Sequence, residues 1–337
     1  MLRSDTRASV VVACTFAALG SWPCVAGSYG LDLVAGIMIS AILALSLELL
    51  VGATGLVCFG QAAFFGIGAY AAALLSKHGA PSLWVSAPLC SMAAAAYALM
   101  VGALALRTRG VYFIMTTLAF AQLAYFVVHD TPLGGGTDGI YLEVKASTPA
   151  SSQYFVILVC LAGTYLGLAQ LLRSNFGRAL AGIRDNEQRM RAAGFATHAY
   201  KLAVFTLAGG IAGLAGFLLA IKDGFVNPEL LSWHVSGAVL AMIVLGGLGQ
   251  LRGALIGAFA FALLEELFKS EALFGGFSRH WHLGVGLTIM LCVALCPAGL
   301  VELPSWLREG RQKLPPPGES PSSSATATRA EAPGGGR

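Results

Sequence analysis

Charged residues are scarce in this 337-residue sequence. Only 11% of the residues are Asp, Glu, Lys or Arg, whereas 56% are hydrophobic. An ordinary soluble domain carries roughly a quarter charged residues, because its surface must face water. The composition therefore excludes an ordinary soluble domain and indicates an all-α integral membrane protein, a polytopic helical bundle.

Motifs for catalysis and ligand binding are also missing. No Gly-Lys dipeptide occurs, so the Gly-rich run 134–139 lacks the lysine of a nucleotide-binding P-loop. The H-E-x-x-H, G-x-S-x-G and C-x-x-C patterns are absent, and the cysteines lie mostly within apolar runs, as packing residues do. We therefore expect no enzymatic site, cofactor, metal site or nucleic-acid partner for this chain.

What the sequence does contain is long apolar runs. A spanning helix needs about 20 mainly apolar residues, fewer where it is broken or tilted. This criterion predicts about ten spans, or eight to ten, because the third, eighth and ninth are short or Gly-rich. They are placed at 8–26, 31–51, 55–75, 83–106, 110–128, 154–172, 200–221, 234–250, 253–268 and 281–298. The first run could instead be a cleaved secretory signal, but an uncleaved span makes the charge bias consistent.

Basic residues predict the orientation of the spans. If all ten cross, most Lys and Arg residues fall on the side that also holds both termini, which predicts an N-in, C-in topology with these segments in the cytoplasm. After Pro304 the composition shifts to Pro, Ser, Ala, Thr and Gly. Residues 1–304 are therefore the predicted transmembrane domain, and residues 305–337 a disordered cytoplasmic tail.

The longest polar stretch between spans, residues 173–199, is predicted to contain an amphipathic cytoplasmic helix ended by Gly194. One arc of this helix is apolar and consists of Leu180, Ile183, Met190 and Ala193. The helix could lie on anionic lipid or dock a soluble partner, and periodicity does not decide between these alternatives. The residues assigned to docking are Arg178, Arg184, Asp185, Glu187, Arg191 and Gly194.

The third span is rich in glycine and contains one amide, Gln61. Such a helix is either interrupted and lines a solute pathway, or packs closely against its neighbours. Glu48, near the end of the second span, faces either the pathway or the membrane interface. The residues assigned to the pathway are Glu48, Gly60, Gln61, Phe64, Gly66, Gly68, Tyr112 and Thr116.

Five segments resemble the LivM-type permeases of branched-chain amino acid ABC importers. They are LSLELLVGATGLVCFGQAAFFGIGAYAAALL from Leu45, LRTRGVYFIMTTLAFAQL from Leu106, GGTDGI from Gly135, FGRALAGIRDNEQRMRAAGFATHAYKLAVFTLAGGIAGLAGFL from Phe176 and LGGLGQLRGALIGA from Leu245. The R-x-R-G-V-Y-F and A-x-I-R-D-N-E runs are the specific parts. The resemblance implies a bacterial inner-membrane location and four kinds of interaction: a second, LivH-like permease subunit, two cytoplasmic subunits that bind ATP, a periplasmic solute-binding protein and the lipid bilayer. It also implies that residues 173–199 contain the helix that meets the ATPase.

Two positions depart from the family pattern. Glu48 stands where the family often has Asn, and Gln61 where it often has His. Both lie near the expected pathway, so these departures bear on the identity of the solute more than on transport itself. A permease for urea or short amides is the nearest alternative, a transporter that works without ATPase subunits is a second, and a membrane enzyme is the least favoured.

Overall fold

Apolar runs fold into helices in a membrane because every backbone polar group must be paired within the protein. The computed structural model describes residues 15–16, 19–24, 27–77, 79, 82–131, 135–142, 150–270, 280–295 and 299–302. The helices are α1 (Ser28–Thr54), α2 (Gln61–Lys77), α3 (Leu83–Ala105), α4 (Val111–Asp130), α5 (Ala150–Arg173), α6 (Asn175–Asp185), α7 (Glu187–Ala192), α8 (Thr197–Asp223), α9 (Trp233–Gly246), α10 (Leu251–Lys269) and α11 (Trp281–Leu295). Two short strands, β1 (Ile140–Tyr141) and β2 (Phe225–Val226), pair antiparallel, and 3₁₀ turns form at Trp22–Cys24, Gly136–Asp138, Pro228–Leu231 and Leu300–Glu302. The all-α polytopic prediction is confirmed.

By the criterion of helix length and hydropathy, the described residues contain fewer spans than the ten predicted. Within the described residues, five helices are long and apolar enough to cross a membrane, namely α1, α3, α4, α5 and α8. The count rises to six if α9 and α10 form one broken span, and α11 is apolar but shorter. The figure of about ten spans is thus not confirmed. Most of the first predicted span, 8–26, lies outside the described residues, as does the predicted tail 305–337.

The third predicted span begins later than expected. We predicted a helix from residue 55, but α1 ends at Thr54 and α2 begins at Gln61. Gly55 adopts the left-handed conformation with φ of 72°, and its N–H donates to the Val51 carbonyl at 3.0 Å, as in an αL cap. Residues 55–60 form an unwound segment without regular structure.

Helix α8 packs against α2 and α3 through residues without bulky side chains. A Cβ atom at Gly68 would overlap the backbone of Gly213, and one at Gly216 would overlap the carbonyl of Phe65. Close approach of this kind strengthens helix association in a membrane, where no hydrophobic force drives it. The small-residue pattern of α8 therefore fixes α2 at the centre of the bundle.

Helices α9 and α10 correspond to the eighth and ninth predicted spans. The predicted break lay at residues 251 and 252, but α9 ends at Gly246, and residues 247–250 form a turn across which the two axes bend by 115°. Gly247 and Gly249 have φ of 115° and 87°. Such angles favour glycine, which the hydropathy pattern alone does not reveal.

One end of the bundle carries the segment between α5 and α8. We call it the basic end, and it consists of residues 174–196, 106–110 and 247–250 with the last turn of α1. Arg184 donates a hydrogen bond to the carbonyl of Gly52, which places the end of α1 here. The Gly249 N–H donates to Glu48 Oε1 at 2.7 Å, which places the α9–α10 turn beside it.

The opposite end collects the other helix termini. Lys222 Nζ at the end of α8 lies 3.0 Å from Asp32 Oδ1 at the start of α1. Tyr29 donates a hydrogen bond to Glu266 near the end of α10. The short sheet joins the α4–α5 connection to residues after α8 at this same end, through β1 and β2.

Candidate functional site

The polar stretch at the basic end folds as two helices rather than the single one predicted. Helix α6 ends at Asp185, and Asn186 is extended, with φ of −156° and ψ of 98°. The Asn186 side chain accepts a hydrogen bond from the Arg189 N–H at 3.0 Å and so caps α7. Asn competes well for this capping position, which explains why the helix breaks here.

The predicted apolar arc is buried in α6 and only partly so beyond it. Leu180 and Ile183 are buried, Met190 in α7 is half-buried, and Ala193, which follows α7, is exposed. Gly194 lies after α7 with φ of 87°, and the Phe195 N–H there donates to the Met190 carbonyl at 3.1 Å. Gly194 therefore ends the helix as predicted.

Glu187 is the centre of an ion-pair network that ties α7 to the start of α8. Its Oε1 lies 2.5 Å from Arg191 Nη2, and its Oε2 lies 2.8 Å from Lys201 Nζ. Thr197 joins the network, since its hydroxyl accepts from Arg191 Nε at 3.0 Å and donates to Glu187 at 3.2 Å. Although burial disfavours the charged carboxylate, Lys201 and Arg191 together lower the pKa of Glu187 below its usual value.

The other residues assigned to docking differ in what they contact. Arg184 is exposed and contacts the end of α1 through its bond to the Gly52 carbonyl. Arg178 is exposed and donates to Asn175 on its own helix, and Asp185 is exposed at the end of α6. All three side chains are thus accessible to solvent.

The unwound segment holds the polar contacts expected of a span interrupted within the membrane. The Phe59 N–H donates to Thr117 Oγ1 at 3.3 Å, and its carbonyl accepts from Ser236 Oγ at 2.8 Å. The same Ser236 hydroxyl accepts from the Ala62 N–H at 3.0 Å. Because unpaired backbone groups at membrane depth are costly, these hydroxyls on α4 and α9 stabilise the interruption.

Gln61 and Gly60 lie at the junction of the unwound segment and α2. Gln61 is fully buried and donates through Nε2 to Ser46 Oγ at 2.6 Å, while its own Oε1 has no hydrogen-bond partner among the described residues. The Gly60 N–H contacts Cys58 Sγ at 3.2 Å. Glu48 also lies on α1, is 2% exposed and accepts from the Gly249 N–H. Its role in the pathway stays a prediction.

Three other residues assigned to the pathway lie in helix contacts. Phe64 is fully buried and packs edge-on against Phe205, with ring centroids 5.5 Å apart. A Cβ at Gly66 would overlap the Leu231 side chain, and one at Gly68 would overlap Gly213. These contacts show close packing at all three positions, and a role in solute passage stays a prediction.

The last two assigned residues lie away from this cluster. Tyr112 is 75% exposed on the outer face of α4. Thr116 donates to the Tyr112 carbonyl at 2.7 Å, a bond within its own helix. The structure therefore does not bring Tyr112 and Thr116 together with Gln61, and their assignment also stays a prediction.

Three buried hydroxyls were missed from the sequence: Ser46, Thr117 and Ser236. Each lies within an apolar helix, where a buried polar side chain must find a partner. A hydroxyl in such a helix is the signal by which they could have been found.

The chain matches the family model of the branched-chain amino acid transport system permease component over residues 30–294. It belongs to this family. It is therefore a membrane permease subunit, as the resemblance implied.

Curated relatives agree with this assignment. The high-affinity branched-chain amino acid transport system permease protein LivM of Salmonella typhimurium is 31% identical over 313 residues, which cover 84% of this chain and 72% of that protein. LivM of Escherichia coli K12 is 30% identical with the same coverage. The autoinducer 2 import system permease protein LsrC of Klebsiella pneumoniae is 33% identical over 132 residues, 37% of each chain. No solved structure matches this chain significantly.

Proposed function

We propose that this permease subunit imports branched-chain amino acids across a bacterial inner membrane, with ATP hydrolysed by partner subunits. The support for the solute is the likeness to two LivM permeases over 84% of the chain. The proposed partners are a LivH-like second permease, two cytoplasmic ATP-binding subunits and a periplasmic solute-binding protein. This chain binds no cofactor of its own in this scheme.

The observation that best supports a coupled transporter is how the α6–α7 helix pair is held. Glu187 bonds it to Lys201 on α8, and Arg184 bonds it to Gly52 on α1. A helix pair fixed to two long helices can move them when a partner pushes on it, whereas a helix that rests on lipid needs no such bonds. Arg178 and Asp185 offer exposed charges to that partner.

We also propose that the chain crosses the membrane ten times, with both termini in the cytoplasm. Successive helices end alternately at the basic end and at the opposite end. The shorter helices α2, α9, α10 and α11 are each counted as one crossing. For the last of these, Gly284 packs against Phe268 near the end of α10, while Gly299 packs against Gly247 at the basic end. The basic end faces the cytoplasm in this scheme, in accord with the positive-inside rule.

The test is purification of the tagged subunit from native membranes, identification of copurifying subunits, and reconstitution of the complex with its binding protein. We expect ATP-binding subunits and a second permease to copurify, and ATP-dependent uptake of leucine, isoleucine and valine. Uptake of urea in preference to these would shift the solute to the alternative class. Uptake by the subunit alone, without ATP, would contradict the coupled mechanism.

A further inference from the structure

Arg184, which the sequence assigns to a partner subunit, has its contacts inside this chain. Its guanidinium donates to the Gly52 carbonyl in the last turn of α1. A Cβ at Gly55 would lie 3.7 Å from Arg184 Cγ, and one at Gly249 would lie 3.7 Å from Arg184 Nη1. The side chain thus contacts the end of α1 and lies beside the α9–α10 turn.

Glu48 joins the same two elements from within the bundle. Its Oε1 accepts from the Gly249 N–H at 2.7 Å, and this oxygen fills the space beside Gly52, where a Cβ would overlap it. Gly249 has φ of 87°, a conformation that L side chains rarely adopt. Glycine at position 249 therefore allows the turn to direct the Gly249 N–H toward Glu48.

The Glu48 carboxyl group depends on the α9–α10 turn for its hydrogen bond. It is 2% exposed and accepts from the Gly249 N–H. Burying a polar group is costly unless it is hydrogen-bonded. This hydrogen bond is kept only while the end of α1 and the α9–α10 turn stay together.

We propose that Arg184 and Glu48 are positioning residues for coupled transport. Arg184 links the α6–α7 helix pair to the end of α1, and Glu48 in turn holds the α9–α10 turn to α1. A displacement of the helix pair then moves α9, whose Ser236 binds the unwound segment. The role in coupling rests on the proposed function, whereas the link itself is a property of this chain alone.

The first experiment measures the link in the full-length subunit in detergent, by hydrogen exchange. Arg184→Ala should accelerate exchange in residues 52–56, at the end of α1, about tenfold, as expected for losing one hydrogen bond from a charged group to the Gly52 carbonyl. Arg173→Ala is the matched control, since Arg173 is an exposed arginine at the end of α5. Unchanged exchange in Arg184→Ala, or equal acceleration in the control, would overturn the proposal whatever the subunit transports.

The second experiment uses the complete reconstituted transporter and measures ATP hydrolysed per solute imported. Arg184→Ala should raise this ratio at least about fivefold, within the range of ordinary coupling between sites. The ATP-binding subunits should still copurify in normal amounts, because Arg184 contacts its own chain. Loss of these subunits from Arg184→Ala would show instead that the arginine binds the partner. A wild-type complex that lacks ATPase activity would contradict the proposed function, and the exchange result would still decide the link.

Glu48 variants separate positioning from simple packing. Glu48→Gln keeps an acceptor for the Gly249 N–H and should retain most of the coupling, whereas Glu48→Ala removes it and should resemble Arg184→Ala. The double variant should be little worse than either single one, since both remove the same link. Additive losses in the double variant would contradict a shared role.

Discussion

The Ser236 hydroxyl on α9 donates a hydrogen bond to the Phe59 carbonyl in the unwound segment, 2.8 Å away. The same oxygen accepts from the Ala62 N–H at 3.0 Å, so one side chain satisfies two backbone groups on either side of the start of α2. Together with Thr117 on α4, this residue of α9 thus stabilises the interruption between α1 and α2.

Ser236→Ala should therefore destabilise the folded protein by about 1–3 kcal/mol, the cost of leaving buried backbone groups unpaired. The measurement is the free energy of unfolding in detergent with increasing denaturant. Thr288→Ala serves as the control, because the Thr288 hydroxyl bonds only to the Gly284 carbonyl of its own helix. Equal losses in the two variants would show that Ser236 has no special role.

Gly68 tests whether α2 and α8 require backbone contact. Gly68→Ala places a Cβ against the backbone of Gly213, which cannot move aside as a flexible side chain can. We expect a loss of about 1–3 kcal/mol in stability, or failure to assemble. Gly163→Ala is the matched control, because nothing lies within 4 Å of a Cβ there. A Gly68→Ala protein as stable as the control would show that α2 and α8 separate readily.

The apolar runs predicted the helices that are long and uniform. Residues 83–106 were expected as a span and form α3 (Leu83–Ala105). An interrupted third span was one of two alternatives, but residues 55–60 were not predicted as its unwound part, because Leu56, Val57 and Phe59 are as hydrophobic as helical residues. Hydropathy measures the preference of side chains for lipid. It does not show where hydroxyls elsewhere in the chain stabilise an interruption by hydrogen bonds.

The sequence predicted which residues belong to the candidate site, but not which groups they contact. The charged stretch around Arg184 was recognised from its amphipathic pattern, and α6 bears this out. The partner of Arg184 could not be predicted, because it is the backbone carbonyl of Gly52, 132 positions away and without any side-chain signature. The break at Asn186 could have been anticipated, since Asn is a strong capping residue.

The proposed orientation predicts the location of reporter fusions. Fusions at Arg109, at Arg191 and after Arg311 should report the cytoplasm, and fusions near Gly136 and Lys222 should report the periplasm. The contacts between Lys222 and Asp32 at one end and between Arg184 and Gly52 at the other require fusions at Arg191 and near Lys222 to give different signals. A periplasmic signal at Arg191 would show that the orientation is the reverse of the one proposed.

Acidification tests the Glu187 network. The pKa of Glu187 is lowered from 4.5 in the folded protein, so the carboxylate contributes stability above that value. This contribution is lost as the pH falls below 4.5, through the folded pKa. We therefore expect the α6–α7 helix pair to stay docked between pH 7 and pH 5 and to loosen under more acidic conditions, as measured by hydrogen exchange in residues 187–195 corrected for the intrinsic rate.

Glu187→Gln shows whether this carboxylate is the cause. At pH 7 the variant should exchange faster in residues 187–195, by the equivalent of about 1 kcal/mol or less, because the network is partly exposed and screened by water. It should also lose the acid-dependent change below pH 4.5, since no group is left there to protonate. Asp185→Asn is the matched control. Asp185 is an exposed carboxylate at the end of α6, two residues before Glu187, so its replacement should leave both the exchange rate at pH 7 and the acid dependence intact. If Glu187→Gln retains the wild-type acid response, another group controls the docking of the helix pair, and the network of Glu187 with Lys201 and Arg191 is not what fixes α7 to α8.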